Sequence, residues 1–152
     1  MERGIRMNEL NIFTAEEGNM RLVFGITPSQ KIRLLYFGTE SWELSQDPNL
    51  CSSDRDRWLE DGYLFSQIQL AGLNSPYEKQ GNMYIASMPG CSMHYVSHSM
   101  EENALGRRLS IVQNDPESGI RLISFFQFYR GLSLVRVFHQ VENEGPKARV
   151  LT

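Results

Sequence analysis

Ile120-Arg121-Leu122-Ile123-Ser124-Phe125-Phe126-Gln127-Phe128-Tyr129, followed after Arg130-Gly131 by the run Leu132 to Glu142, decides how the remainder of the chain is read. Successive side chains of an extended strand point to opposite faces. The first run therefore sets Ile120, Leu122, Ser124, Phe126 and Phe128 against Arg121, Ile123, Phe125, Gln127 and Tyr129. Both faces are apolar near the middle, the pattern of a central strand covered on two sides by a second sheet or by another domain. The second run alternates Leu132, Leu134, Arg136, Phe138 and Gln140 against Ser133, Val135, Val137, His139 and Val141, so the two runs are expected to form a hairpin.

Outward from this hairpin the period of two persists, and the period of a helix is almost nowhere present. Asn8 to Thr14 and Arg21 to Thr27 flank Glu16-Glu17-Gly18-Asn19, where Gly and Asn tolerate the positive φ of a hairpin turn. Pro28-Ser29-Gln30 leads into Ile32 to Phe37, ended by Gly38. Leu64 to Leu70 alternates like a strand with one wet face, and Met93 to His98 and Arg108 to Asn114 flank the segment Glu101 to Gly106. Asn114-Asp115-Pro116-Glu117-Ser118-Gly119 and Asn143-Glu144-Gly145-Pro146 are turns. The pattern predicts an all-β domain, a β-sandwich of about ten mainly antiparallel strands. Thr39 to Asp61 is expected to be a long loop holding one helical turn. Lys147 to Thr152 reads as the start of a further strand, so the segment 1–152 is expected to be one domain cut from a longer polypeptide.

Composition sets outer limits. The 152 residues are 41% hydrophobic and 22% charged, with 8 Phe, 6 Tyr and 2 Trp, enough for one real core and too apolar for disorder. Net charge is -3 and the 15 basic residues are scattered, which argues against a phosphate-tracking surface and against nucleic acid as a partner. No apolar run approaches the roughly 20 residues that span a bilayer, and Met1 to Arg6 leads into polar residues, unlike a secretory signal. The expected setting is the cytoplasm, away from membranes. Cys51 and Cys91 then read as unpaired thiols of a reducing compartment.

The reactive side chains do not converge. His94 and His98 would share a helix face, but on a strand four residues separate them by about 13 Å, too far to share one metal ion. His139 lies in another strand, so no metal site is expected. Cys51 sits among carboxylates with no base beside it, and nothing orients His94 toward Cys91. The 18 acids read as occupants of turns and of the Thr39 to Asp61 loop, away from the rigid pairing that glycoside chemistry requires. Flat rings stack on sugars, and Trp42, Trp58, Tyr77, Tyr84 and Tyr95 are the candidate rings, against the commoner role of such residues in cores and interfaces. From the residues alone the chain is an accessory or binding sandwich without catalytic residues and without a cofactor.

One set of segments goes further. His94-Tyr95-Val96-Ser97-His98, the run Asn103 to Gln113, Phe126-Gln127-Phe128-Tyr129 and the run Val135 to Gly145 resemble the amino-terminal domain of glycoside hydrolase family 36, a family dominated by bacterial α-galactosidases. The stretch Ile12 to Gly38 is similar to the start of the same domain. The resemblance implies a β-supersandwich ahead of a (β/α)8 catalytic barrel, which needs about 250 residues and so lies outside this chain. It also implies a retaining mechanism with two aspartates, neither of which matches an acid here. For this segment the resemblance implies a supporting role: packing on the barrel of the same polypeptide, helping to build a homo-oligomer, and lending a loop to the rim of a pocket for an oligosaccharide such as melibiose or raffinose. The loop from Pro76 to Gly90, with Tyr77 and Tyr84, and the ring of Trp58 are the rim candidates. The competing expectation, from another class, is a freestanding carbohydrate-binding sandwich.

Overall fold

The computed structural model describes residues 10–56, 59, 63–71 and 92–151. They form two antiparallel sheets. The first has the order β1-β2-β3, from β1 (Asn11–Glu17), β2 (Met20–Ile26) and β3 (Ile32–Gly38); the second has the order β4-β5-β6-β7, from β4 (His94–Glu102), β5 (Arg107–Asp115), β6 (Ile120–Phe128) and β7 (Val135–Asn143). All connections inside each sheet join neighbours. The all-β sandwich expected from alternation is what forms.

The hairpin that decides the fold forms, with Ile120 opposite Asn143 and Phe128 opposite Val135, but Tyr129 to Leu134 connect the strands, so the expected turn at Arg130-Gly131 is wider and Leu132 to Leu134 lie outside the second strand. Its two faces are unequal. Ile120, Leu122, Ser124, Phe126 and Phe128 are buried, Phe126 and Phe128 in the core shared with the first sheet and Ile120 and Leu122 against Ile68, Leu70 and Met93, whereas Ile123 and Phe125 are only half-buried, so among the described residues one face and not two is covered. The main core joins Leu22, Phe24, Ile26 and Ile32 to Leu109, Ile111, Phe126 and Phe128. Phe24 meets Phe126 edge-on at 5.3 Å, and Phe65 closes the cluster against both rings. Each such ring removed from water contributes about 1.5–3 kcal/mol.

Three expectations are corrected. Seven strands form among the described residues, against about ten. Leu64 to Leu70 is irregular chain with a single bridge, Leu70 to Leu151, because its alternation supplies anchors and not a ladder: Ile68 and Leu70 are buried with Met93, Ile120 and Leu122. The expected strand after Lys147 is reduced to that same bridge and to Ala71 N–H donating to Val150 O at 2.9 Å.

Two turns are tighter than the sequence implies. β1 continues through Glu17, so Glu16 and Glu17 belong to a strand and only Gly18-Asn19 turn, with Gly18 at φ 60°. β4 likewise continues to Glu102, and Asn103 Oδ1 closes the following turn by accepting from Leu105 and Gly106 N–H at 2.9 and 3.2 Å. The expected helical turn in the long loop is a 3-10 turn over Leu44–Gln46. Asp47 holds the next bend, its Oδ1 accepting from Asn49 and Leu50 N–H and from the Tyr63 hydroxyl. Among the described residues no helix is long and apolar enough to cross a membrane.

Candidate functional site

Trp58, Tyr77 and Tyr84, the three rim candidates, lie outside the described residues, as do the loop from Pro76 to Gly90 and Cys91. The other two candidate rings are placed. Trp42 packs on the cluster Leu10, Leu35, Leu50 and Leu59 and stacks on Tyr36 at 6.2 Å. Tyr95 packs against the main core and its hydroxyl meets His98 Nδ1 at 2.7 Å. Both rings are committed to the fold, as interior aromatics usually are.

The three histidines remain apart. His94 and His98 are on β4 and His139 is on β7, at opposite edges of the sheet with β5 and β6 between. His98 stacks on Phe13 with ring centroids 3.8 Å apart, and His139 Nδ1 meets the buried Ser124 hydroxyl at 2.9 Å. Burial lowers the pKa of both imidazoles from the ordinary histidine value, because a desolvated ring is costly to charge. The same desolvation raises the Tyr95 phenol. Among the described residues no three His, Cys, Asp or Glu side chains come together as a metal site would require. Cys51 is exposed and its thiol donates to Ser45 O at 3.2 Å.

The acids sit on strands as well as in turns. Glu16, Glu17, Glu101, Glu102, Asp115 and Glu142 all lie on strands. Each is engaged by a cation or an amide: Glu16 by Arg21, Glu101 by Arg108, Glu102 by Arg130, and Glu142 by Arg121. Asp115, 2% exposed, accepts from the N–H groups of Glu117 and Ser118 and closes the β5–β6 turn. These arrangements fix turns and strand ends.

Glu17 has the most consequential position, one for which alternation carries no signal. Its Oε2 accepts from Arg107 N–H at 2.5 Å across the two sheets, while Arg107 Nη1 donates back to Glu16 O at 3.0 Å. Arg130 stands 3.8 Å from the other carboxylate oxygen. The carboxylate reaches over Gly106, whose φ is 146° and whose missing Cβ would stand 2.6 Å from Oε2 and 2.9 Å from Phe128 O. A second tie is the Tyr95 N–H donating to Gln30 O at 2.6 Å. The sandwich is thus latched at both ends by polar groups around a greasy centre.

Two surface features remain. A cleft of about 350 Å³ lies between the β5–β6 turn and the chain after β7, edged by Glu117, Glu144, Lys147 and Arg149. Its floor is the contact of Gly119 with Gly145, where a Cβ on Gly119, itself at φ 75°, would fall 2.6 Å from Gly145 Cα. On the outer face of the second sheet Phe125 and Phe138 stack at 4.9 Å, with Arg108 and Arg136 lying 5.5 and 5.4 Å from the respective ring centroids. That half-buried, aromatic face is the surface the sequence marks for cover.

No family model matches the chain, and no curated protein matches it. Solved structures do. The GH36 α-galactosidase AgaB from Geobacillus stearothermophilus aligns with 95% of this chain at a TM-score of 0.56 and 16% identity, over 23% of the enzyme. AgaA from the same organism aligns with 89% at 0.57 and 15% identity, over 22% of its length. The galactosidase domain of the α-galactosidase-sucrose kinase AgaSK aligns with 97% at 0.61 and 13% identity, over 24%. The chain therefore has the fold of a segment that makes up less than a quarter of those enzymes.

Proposed function

We propose that this chain is the amino-terminal, non-catalytic β-sandwich domain of an α-galactosidase-like retaining glycoside hydrolase acting on terminal α-galactosides such as melibiose and raffinose in the cytoplasm. The observation that carries the reading is the fold match to three α-galactosidases at TM-scores of 0.56 to 0.61, each over less than a quarter of the enzyme. The engagement of the strand carboxylates with arginines and turn amides supports a structural role, since a retaining site needs two carboxyl groups about 5–5.5 Å apart across a substrate cleft. The half-buried stack of Phe125 and Phe138 supports packing against a catalytic barrel of the same polypeptide. A second copy of the chain is the other partner of this reading.

The test is hydrolysis of p-nitrophenyl α-galactoside. The 152-residue chain releases no nitrophenol, and the longer protein that carries it does. Turnover by the chain alone overturns the non-catalytic assignment, and an inactive longer protein overturns the enzyme. Calorimetric titration of the chain with melibiose and raffinose separates the binding-module alternative, which requires measurable heat that Trp58→Ala or Tyr84→Ala abolishes.

A further inference from the structure

Past β7 the chain runs through Glu144-Gly145-Pro146-Lys147-Ala148-Arg149, mostly glycine, proline and charge, and then Val150 and Leu151, which are 64% and 56% exposed. Apolar burial therefore does not hold this segment. Polar and backbone ties do. The Gly119 carbonyl accepts from the N–H groups of Glu144 and Gly145 at 2.8 and 3.2 Å. Asn143 accepts from Gly145 N–H through Oδ1 at 3.1 Å and donates through Nδ2 to Lys147 O at 2.8 Å. Arg149 Nε donates to Ser118 O at 3.2 Å, and Val150 O accepts from Ala71 N–H at 2.9 Å beside the Leu70–Leu151 bridge.

Both footholds are firm. Gly119 stands between Ser118 and Ile120, both buried, and Ile120 belongs to the same buried cluster as Leu70. The β5–β6 turn and the bridge at Leu70 are thus parts of one apolar unit, and the segment is tied to that unit at each end. The tie at Gly119 sets backbone against backbone. A Cβ there would stand 2.6 Å from Gly145 Cα and 2.8 Å from Gly145 N, and the φ of 75° independently disfavours an L side chain.

We infer that residues 143–151 form a clasp that fixes the path of the chain after β7, and that Gly119 is the residue that lets it close. A linker without such ties samples many directions. The clasp replaces them by one. In the proposed function this segment leads toward the barrel, so the inference rests on that reading where it makes the joint between sandwich and barrel a fixed one. The clasp itself is measured on the chain alone. Its failure is therefore separate from that of the glycosidase reading, which nitrophenol release decides.

Trypsin supplies the test, because its two sites in the segment, Lys147 and Arg149, are residues that the ties hold. Cleavage requires the backbone around the bond to come free of its hydrogen bonds, so the rate follows the population of the open clasp. The 152-residue chain is digested briefly under native conditions, and loss of the segment is followed by mass spectrometry beside a free peptide of residues 141–152. The chain is expected to be cut there about a hundredfold more slowly than the peptide. Gly119→Ala, which leaves the cleaved sequence untouched, raises the rate by about tenfold, and so does Asn143→Ala, which removes two side-chain hydrogen bonds at an exposed position. Circular dichroism confirms that each variant keeps its β signal; where Gly119→Ala loses it, Asn143→Ala decides. Cutting of the chain at the peptide's rate, or an Asn143→Ala chain as protected as the original, overturns the clasp. A folded Gly119→Ala chain that stays protected overturns the part given to that glycine.

Discussion

Replacing Gly106 by alanine tests how the two sheets are held together. The position has φ 146°, where an L side chain costs about 1–3 kcal/mol. The new Cβ would stand 2.6 Å from Glu17 Oε2 and 2.9 Å from Phe128 O. The Phe128 carbonyl belongs to β6 and cannot swing aside, so the Glu17 carboxylate is the group that yields. Its displacement loses a charge-assisted hydrogen bond to Arg107 N–H, worth about 1.5–3 kcal/mol. The two costs overlap, giving a loss of about 2–5 kcal/mol, a large share of the roughly 5–15 kcal/mol that stabilises a domain. Urea unfolding followed by circular dichroism reads this as a lower midpoint at unchanged slope. Glu17→Ala alone costs about 1.5–3 kcal/mol, and the double variant costs less than the sum, because the clashing carboxylate is already gone. A loss below about 1 kcal/mol for Gly106→Ala, or strict additivity with Glu17→Ala, would show that the latch is not what that glycine accommodates.

Phe126→Ala, which empties a 1%-exposed site between Phe24 and Phe65, is expected to cost about 3–5 kcal/mol in the same urea assay; a cost under about 2 would mean the two sheets collapse onto the gap. Asp115→Ala removes the acceptor of two turn amides and costs about 1–3 kcal/mol, while the exposed neighbour Glu117→Ala stays within about 0.5. His98 and His139 have folded pKa values below the ordinary histidine value near 6.5, so the folded chain binds fewer protons than the unfolded one in the window beneath it. Their contribution is complete above about 6.5 and is lost as the pH falls from there to the folded values. The urea midpoint therefore drops across that window, less steeply in His139→Gln, and identical slopes for the two proteins would contradict the assignment.

Alternation is enough to find β2, β3, β5 and β6, because those strands carry buried side chains on at least one face and the period of two is the direct imprint of burial; β7 alternates too, although none of its residues is fully buried. It failed where apolar alternation serves another purpose. Ile68 and Leu70 have a strand's spacing but are buried with Met93 and Leu122, and the one bridge among the described residues there is Leu70 to Leu151. It also misjudged β4, whose nine residues are largely exposed and whose strand character comes from the ladder with β5 and not from a core-facing pattern. The Glu17–Arg107 latch was illegible for a different reason: its partners are ninety residues apart in sequence, and an acid beside a turn looks like a solvated edge until the second sheet is set against it. The rim candidates Trp58, Tyr77 and Tyr84 lie outside the described residues, so their part in a site rests on titration with melibiose and raffinose.

Side chains of a strand point to the faces of its sheet, so Phe138, stacked on Phe125 and half-buried, speaks for what lies over the outer face of the second sheet. A barrel packed there, as the proposed function requires, would bury the two aromatics. In the longer protein of that proposal, Phe125→Ala should weaken the union of sandwich and barrel, seen as the splitting of one thermal transition into two. A single unchanged transition would refute packing of the barrel on this face.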